Sequence, residues 1–154
     1  MDGLKILLPF SFTAYDLKAL EFVIHTYAHD SSAQVTLFFA YTPPPKIDRK
    51  DSPVLDRMAA DLVYLERLVE EQARSLEEAR QNLIDEGFSQ SDVHCVFSAR
   101  KKDIAGEIAD QAVRGDFDVV VLHNKPHRAT RFFSGTVYSR VVSALSGKTV
   151  CVIT

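Results

Sequence analysis

The sequence predicts an α/β fold: an open, doubly wound sheet of five parallel strands in the order 3-2-1-4-5, with helices on both faces. Short apolar segments alternate with longer amphipathic ones along the 154 residues, and this alternation calls for parallel strands joined by right-handed crossovers. Residues 4–10 and 118–122 are the most continuously apolar segments, which is typical of buried central strands. If these two strands are neighbours, the order reverses between them and the sheet is doubly wound.

Five short segments rich in β-branched and aromatic residues are predicted to be the strands. Pro9 stops the first of them, and three prolines from Pro43 to Pro45 follow the second and rule out regular structure there. Gly147 breaks the chain before the last strand. The predicted strands are residues 4–10, 33–41, 93–99, 118–122 and 149–154.

Four segments with apolar residues at helical spacing are predicted to be helices. The first is expected to bury a broad side that includes Leu17, and Gly87 is expected to end the second. The second helix would be about 50 Å long, so either part of it projects beyond the sheet or its first turn is a loop. The predicted helices are residues 16–29, 53–86, 103–113 and 135–145. The seam of the second follows a heptad spacing through Met58, Leu62, Leu65, Val69, Gln72, Leu76, Ala79 and Leu83.

The composition indicates one domain over residues 1–154, with 46% apolar residues and a net charge of −3. The acidic balance argues against nucleic-acid binding, which normally needs a basic face. No signal peptide is evident and no apolar run approaches the ~20 residues that a membrane span needs, so a cytoplasmic protein without a membrane partner is expected. Cys95 and Cys151 lie in apolar runs and are expected to be reduced, buried and inert.

Two loops are predicted to form the functional site, because open α/β sheets bind ligands at the carboxyl ends of strands where the order reverses. They are residues 9–13 and 123–135. Ser11 and Thr13 in the first loop could contact a ligand, but capping of the following helix is the favoured role. The second loop is basic. It could bind an anion together with the N-terminus of the following helix, or it could simply be a basic loop exposed to solvent.

A metal site is not predicted in the second loop. His123 and His127 are four residues apart, but Pro126 lies between them and spoils helical geometry. No carboxylate or cysteine in the loop completes a ligand set.

Several stretches of the chain resemble the universal stress proteins, an adenine nucleotide alpha hydrolase-like family. They are residues 5–9 (KILLP), 17–21 (LKALE), 35–37 (VTL), 103–112 and 118–121 (DVVV), which together span nearly the whole chain. The resemblance implies five parallel strands in the order given above and a homodimer formed through the last strand.

The chain departs from the pattern of the family members that bind ATP. Those members carry an Asp two residues after the first-strand proline, where this chain has Ser11. They also carry G-x-x-G, nine residues and then G-[S/T] after the fourth strand. Gly135 and Thr136 match the final pair, but Leu122 and Lys125 replace the first two glycines. The resemblance therefore implies a weakened nucleotide pocket, in which Leu122 and Lys125 crowd the phosphate path.

These observations favour a stress-response or regulatory homodimer that is not an enzyme and binds ATP or AMP weakly. Two alternatives stay open: a member that binds or hydrolyses ATP, and an interaction module that uses the long helix at residues 53–86. No S-G-G-x-D-S or G-x-x-x-x-G-K-[S/T] phosphate loop is present. The candidate pocket residues are Pro9, Phe10, Ser11, Thr13, Ala40, Leu122, His123, Lys125, Arg128, Gly135, Thr136 and Val137.

The last strand is the candidate dimer interface. It has strong β propensity, it is expected at the sheet edge, and no charge or proline follows Lys148 to protect that edge. Pairing with its twin across a two-fold axis would satisfy the exposed backbone groups. The interface residues are Thr149, Val150, Cys151, Val152 and Ile153.

Overall fold

The computed structural model describes residues 3–45, 53–123 and 135–154, and of residues 53–57 and 135–138 only the backbone. Five parallel strands form one sheet in the order β3-β2-β1-β4-β5, which confirms the predicted order. The strands are β1 Lys5–Pro9, β2 Gln34–Tyr41, β3 Val93–Ala99, β4 Val119–His123 and β5 Thr149–Ile153. The helices are α1 Tyr15–Tyr27, α2 Pro53–Asp85, α3 Ile104–Arg114 and α4 Gly135–Ala144.

The two most apolar strands are neighbours at the centre of the sheet, as predicted. β1 pairs with β4 in parallel register, Ile6 opposite Val119 and Leu7 opposite Val120. All five residues of β4 are buried, as are four of the five in β1. The strand order reverses between these two strands, so their carboxyl ends meet at the point where α/β proteins place ligands.

Two hydrophobic cores lie on opposite faces of the sheet, because successive side chains of a strand point to opposite faces. On one face Ile6 and Leu8 pack with residues of α1 and α2, including Leu20 and Leu76. On the other face the core contains residues of α3 and α4. Its members are Leu7, Phe38, Ala105, Ile108, Ala112, Phe117, Val120, Leu122, Val141 and Leu145.

Two predicted placements are wrong. Leu122 was expected to crowd a phosphate path, but its side chain is only 2% exposed and belongs to the second core, because the alternation of β4 turns it inward. Leu17 was expected on the buried side of α1, yet it is 60% exposed. The predicted buried face of α1 was too wide, since the buried apolar residues of that helix are Ala19, Leu20 and Val23.

Only part of α2 packs on the sheet. Arg80 Nε donates to the carbonyl oxygen of Val93 at 3.0 Å and Leu76 lies level with Cys95, so the helix runs antiparallel to β3. From Cys95 to the end of β3 is about 13 Å, which corresponds to roughly nine helical residues before Leu76. The first half of α2 therefore extends beyond the carboxyl ends of the strands.

Exposure along α2 agrees with this placement at most positions, but Leu62, a seam residue in the first half of the helix, is only 6% exposed. Leu76, Ala79 and Leu83 of the predicted seam are buried in the first core, whereas Met58 of the same seam is 41% exposed and Tyr64 is 66% exposed. Within the described ranges, no helix is long and apolar enough to cross a membrane.

Helix ends follow the sequence signals. Gly87 has φ +122°, a conformation that favours glycine, and its N–H donates to the carbonyl of Ile84 just after α2. Phe88 N–H donates to the carbonyl of Leu83, which completes the predicted cap. Asp103 caps α3 by accepting from the N–H of Gly106 at 3.0 Å.

The core position of Leu122 can be tested by truncation. We expect Leu122→Ala to lower the free energy of unfolding by about 2–5 kcal/mol, because it opens a cavity in the second core. Leu17→Ala removes the same atoms from an exposed position and should change stability by about 0.5 kcal/mol or less. Urea denaturation measures both variants, and equal losses would contradict the assignment of Leu122 to the core.

Candidate functional site

A buried polar cluster of Ser11, Asp16 and His123 lies where the carboxyl ends of β1 and β4 meet. Ser11 follows β1, Asp16 is in the first turn of α1, and His123 ends β4. All three are at most 9% exposed, although they surround the switch point that was predicted to bind a ligand. We call this group the Ser11–Asp16–His123 cluster.

The carboxylate of Asp16 holds the cluster together by accepting several hydrogen bonds. Oδ1 accepts from the backbone N–H of Ser11 at 3.0 Å and from the Ser11 hydroxyl at 3.0 Å. Oδ2 accepts from the N–H of Thr13 at 3.2 Å, and His123 Nε2 lies 3.2 Å from Oδ1. Because a buried carboxylate needs such partners, Asp16 fixes the loop after β1 to the start of α1 and to the end of β4.

The cluster contains a serine, a histidine and an aspartate but is not a nucleophilic relay. In such a relay the serine and the carboxylate contact opposite nitrogens of the imidazole. Here Ser11 Oγ, at 3.0 Å, and Asp16 Oδ1, at 3.2 Å, both contact Nε2 of His123. Asp16 also accepts directly from the Ser11 hydroxyl, so the arrangement orients groups rather than activating a nucleophile.

The favoured capping role of Ser11 and Thr13 is wrong. The N-cap residue of α1 is Ala14, and no side chain accepts a capping hydrogen bond there. The Ser11 and Thr13 hydroxyls instead lie 2.8 Å apart, and Asp16 reaches back to the N–H groups of both residues. Asp16, which the sequence analysis did not single out, accepts from N–H groups that precede the helix, whereas a capping hydroxyl would accept from those of its first turn.

Phe12 adopts a strained backbone conformation beside this cluster. Its φ of +57° is in the left-handed region, which is unfavourable for a bulky residue. Its ring packs edge-on against Phe39 with 4.6 Å between centroids and contacts Phe10 at 5.9 Å. Phe12 thus fills space at the carboxyl ends of β1 and β2.

An apolar cleft lies beside the cluster, between the ends of β1 and β2 and the start of α3. It measures about 300 Å³ in all, but its enclosed part has room for only about one water molecule. Three predicted pocket residues, Pro9, Phe10 and Ala40, line it together. The remaining lining residues are Phe38, Phe39, Ile104, Glu107 and Ile108.

Ala40 directs backbone groups toward this cleft. Gln34 N–H donates to Leu4 and Phe38 C=O accepts from Phe10, so even-numbered residues of β2 face β1. Ala40 continues this alternation beyond the end of β1. Its N–H and C=O therefore point into the cleft, where they can form hydrogen bonds with the edge of a planar ligand.

Glu107 is a lining residue that the sequence analysis missed. Its Oε1 accepts from the N–H groups of Lys101 and Lys102, both at 2.7 Å, which holds the carboxylate at the first turn of α3. An acidic residue in the first turn of a helix normally serves the helix dipole, so the sequence carried no signal that this carboxylate borders a cleft.

The other predicted pocket residues lie away from this cleft or outside the described residues. Thr13 lines a wider groove on the opposite face of the sheet, between α1 and α2, and Phe10 borders both spaces. Lys125 and Arg128 lie outside the described residues. Gly135, Thr136 and Val137 begin α4, of which only the backbone is described there.

The two cysteines and the candidate metal ligands among the described residues form no site. Both cysteines are free, and burial raises the pKa of Cys95 to about 11 and also raises the pKa of Cys151, so both thiols stay protonated. Both are half-buried rather than fully buried as expected. In the ranges that the structure describes, no group of three His, Cys, Asp or Glu side chains could hold a metal ion.

The role of Asp16 predicts a stability effect. Asp16→Ala leaves the N–H groups of Ser11 and Thr13 without their buried acceptor, so we expect the free energy of unfolding to fall by about 2–4 kcal/mol. Glu21→Ala removes an exposed carboxylate from the same helix and should change it by about 0.5 kcal/mol or less. Urea denaturation compares them, and an Asp16→Ala protein as stable as the control would refute the anchoring role.

Solved structures share this fold. The universal stress protein UspA from Lactobacillus plantarum is 18% identical, with a TM-score of 0.71, over 100% of this chain and 99% of its own. The universal stress protein from Archaeoglobus fulgidus in complex with dAMP is 18% identical, with a TM-score of 0.59, over 100% of both chains. A family protein from Arabidopsis thaliana with AMP bound is 16% identical, with a TM-score of 0.54, over 98% of this chain and 91% of its own.

The family assignment rests on the sequence as well as on the fold. No curated protein matches the chain. The model of the universal stress protein family, however, matches residues 4–152, which is almost the entire sequence. This chain therefore belongs to the universal stress protein family.

Proposed function

We propose that this protein is a regulatory universal stress protein that binds an adenine nucleotide weakly at the cleft between β1, β2 and α3. The observation that carries the proposal is the cleft itself, where Pro9, Phe10 and the outward backbone groups of Ala40 meet at the switch point of the sheet. Relatives of the same fold have been solved with AMP, dAMP and cAMP.

Two features support weak rather than tight binding. The position that carries a carboxylate in the ATP-binding members is Ser11, and the nearby carboxylate of Asp16 is buried and already accepts from Ser11, Thr13 and His123. The enclosed part of the cleft is also narrow, with Phe10 and Phe39 among its walls, so a purine would have to displace side chains.

The absence of an enzymatic role is part of the proposal. The Ser11–Asp16–His123 cluster lacks relay geometry, and the sequence carries neither phosphate-loop motif named above. A member that binds or hydrolyses ATP stays the alternative, and so does an interaction module that uses the long helix α2.

The affinity for nucleotide tests the proposed pocket. Calorimetric titration with AMP and with ATP should give binding weaker than the micromolar range, because the carboxylate of Asp16 is not available to a ligand. Mass spectrometry of the protein as purified should show no tightly retained nucleotide. Micromolar or tighter binding would contradict the weak site, and no saturable binding by the highest soluble concentration would refute a nucleotide function.

Moving the carboxylate should strengthen binding. The double variant Ser11→Asp/Asp16→Ser exchanges the two side chains, so one carboxylate remains but now follows β1 directly. We expect its AMP affinity to rise about tenfold, the gain typical of one charge-assisted hydrogen bond. Ser11→Asp alone is the control: it places two carboxylates side by side, and it should lose stability. An exchanged protein with unchanged AMP affinity would show that this carboxylate does not govern binding.

We also propose that two copies pair through β5. Within the part of the chain that the structure describes, β5 pairs only with β4 and forms one edge of the sheet, which agrees with the predicted edge position. Thr149 N–H donates to Asp118, so the odd-numbered residues of β5 face β4, and Val150 and Val152 direct their N–H groups outward. A second β5 strand would satisfy these outward groups.

Removing one outward N–H tests this pairing. Sedimentation velocity at low micromolar concentration should show the wild type at twice the mass of the 17.3 kDa chain. Val152→Pro should sediment as a folded monomer, because proline removes an outward donor and no bond to β4. Circular dichroism checks that the variant folds. A monomeric wild type would refute the dimer, and a Val152→Pro dimer would place its interface elsewhere.

A further inference from the structure

We infer that Glu107 makes the cleft selective for a purine that carries an exocyclic amino group over one that carries a carbonyl at the same position. The inference rests on the proposed nucleotide site and assigns a specificity-determining residue to it. Three observations support it: the position of Glu107 at the cleft, the fixed orientation of its carboxylate, and the apolar character of the other lining residues.

Glu107 is held in place by the backbone. The N–H groups of Lys101 and Lys102 both donate to the same oxygen, Oε1, at 2.7 Å. Two short bonds to one oxygen restrict rotation of the side chain, so the second oxygen has a defined direction. Among the described residues, no hydrogen bond engages Oε2.

The negative charge of Glu107 is not neutralised by the neighbouring lysine. Lys102 Nζ pairs with Asp110, further along α3, and not with Glu107. The other residues that line the cleft carry apolar side chains, namely Pro9, Phe10, Phe38, Phe39, Ala40, Ile104 and Ile108. Glu107 is therefore the charged side chain that this cleft, as described, offers to a ligand.

An ionised carboxylate only accepts hydrogen bonds, and beside apolar walls it interacts more strongly than it would in water. An amino group on the purine can donate a hydrogen bond to Oε2. A carbonyl oxygen cannot donate, and its lone pairs would be repelled by those of Oε2. The phosphate of a nucleotide would be repelled from Glu107 for the same reason. The base end, rather than the phosphate end, should therefore lie at α3.

A hydrogen bond to a charged group changes binding by about tenfold to a hundredfold, and an unpaired carbonyl would lose a similar factor. We expect the wild type to prefer AMP over IMP by at least about tenfold. AMP has an amino group at the six-position and an accepting N1, whereas IMP has a carbonyl at the six-position and an N–H at N1, so the comparison of AMP with purine riboside monophosphate isolates the amino group.

The variant Glu107→Gln isolates this interaction. The amide keeps a carbonyl oxygen to accept from Lys101 and Lys102, and it replaces Oε2 by a donating NH₂ group. Glu107→Gln should therefore lose the preference for AMP and gain affinity for IMP. Glu21→Gln makes the same chemical change at an exposed position on α1 and should leave the AMP to IMP ratio unchanged.

Chemical-shift titration of the full-length protein with AMP and with IMP measures both affinities even when binding is weak. An AMP to IMP ratio that falls toward one in Glu107→Gln and stays high in Glu21→Gln supports the assignment. A ratio unchanged by Glu107→Gln, with AMP still bound, overturns the role of Glu107 alone. Absence of binding by the wild type for either nucleotide overturns the proposed function and this inference with it.

A second measurement covers a Glu107→Gln protein that does not fold. Purine riboside monophosphate has neither an amino group nor a carbonyl at the six-position. The wild type should bind it about tenfold or more weakly than AMP, because the donor to Glu107 is missing. Equal affinities of the wild type for these two nucleotides would overturn the inference without any variant.

Discussion

The burial of both faces of β1 and β4 is the constraint on which the rest of this structure depends. Strands that are apolar on both sides need helices above and below, and parallel neighbours need long crossovers to connect them. The chain supplies α1 and α2 on one face and α3 and α4 on the other. Once β1 and β4 are central neighbours, their carboxyl ends meet, and polar side chains that follow them are forced into proximity.

That proximity explains the unusual feature of the site, a carboxylate that serves the fold rather than a ligand. Asp16 lies five residues after Ser11 and over a hundred before His123, yet it contacts both because β1 and β4 end together. Its burial is compatible with stability only while these donors surround it. A universal stress protein with this arrangement keeps a carboxylate at the switch point but directs it inward, and this is the physical basis of the weak site that we propose.

Glu107 and the first half of α2 show how the same fold presents new groups outward. Glu107 belongs to α3, but the start of that helix lies beside the carboxyl ends of β1 and β2, so its carboxylate borders the cleft. The length of α2 exceeds that of β3, and the excess carries exposed apolar residues such as Tyr64 past the same edge of the sheet. Both features arise from how far helices extend relative to strands.

The sequence by itself determined the strand order, the element boundaries to within one or two residues and the family, because hydrophobic periodicity and turn residues act locally and continuously along the chain. It also located the switch point and brought Pro9, Phe10 and Ala40 into one predicted pocket. Only the tertiary structure decided which side chains face that space. Asp16 joined Ser11 and His123, and Glu107 reached the cleft, because these outcomes depend on contacts between residues distant in sequence, which no local pattern records.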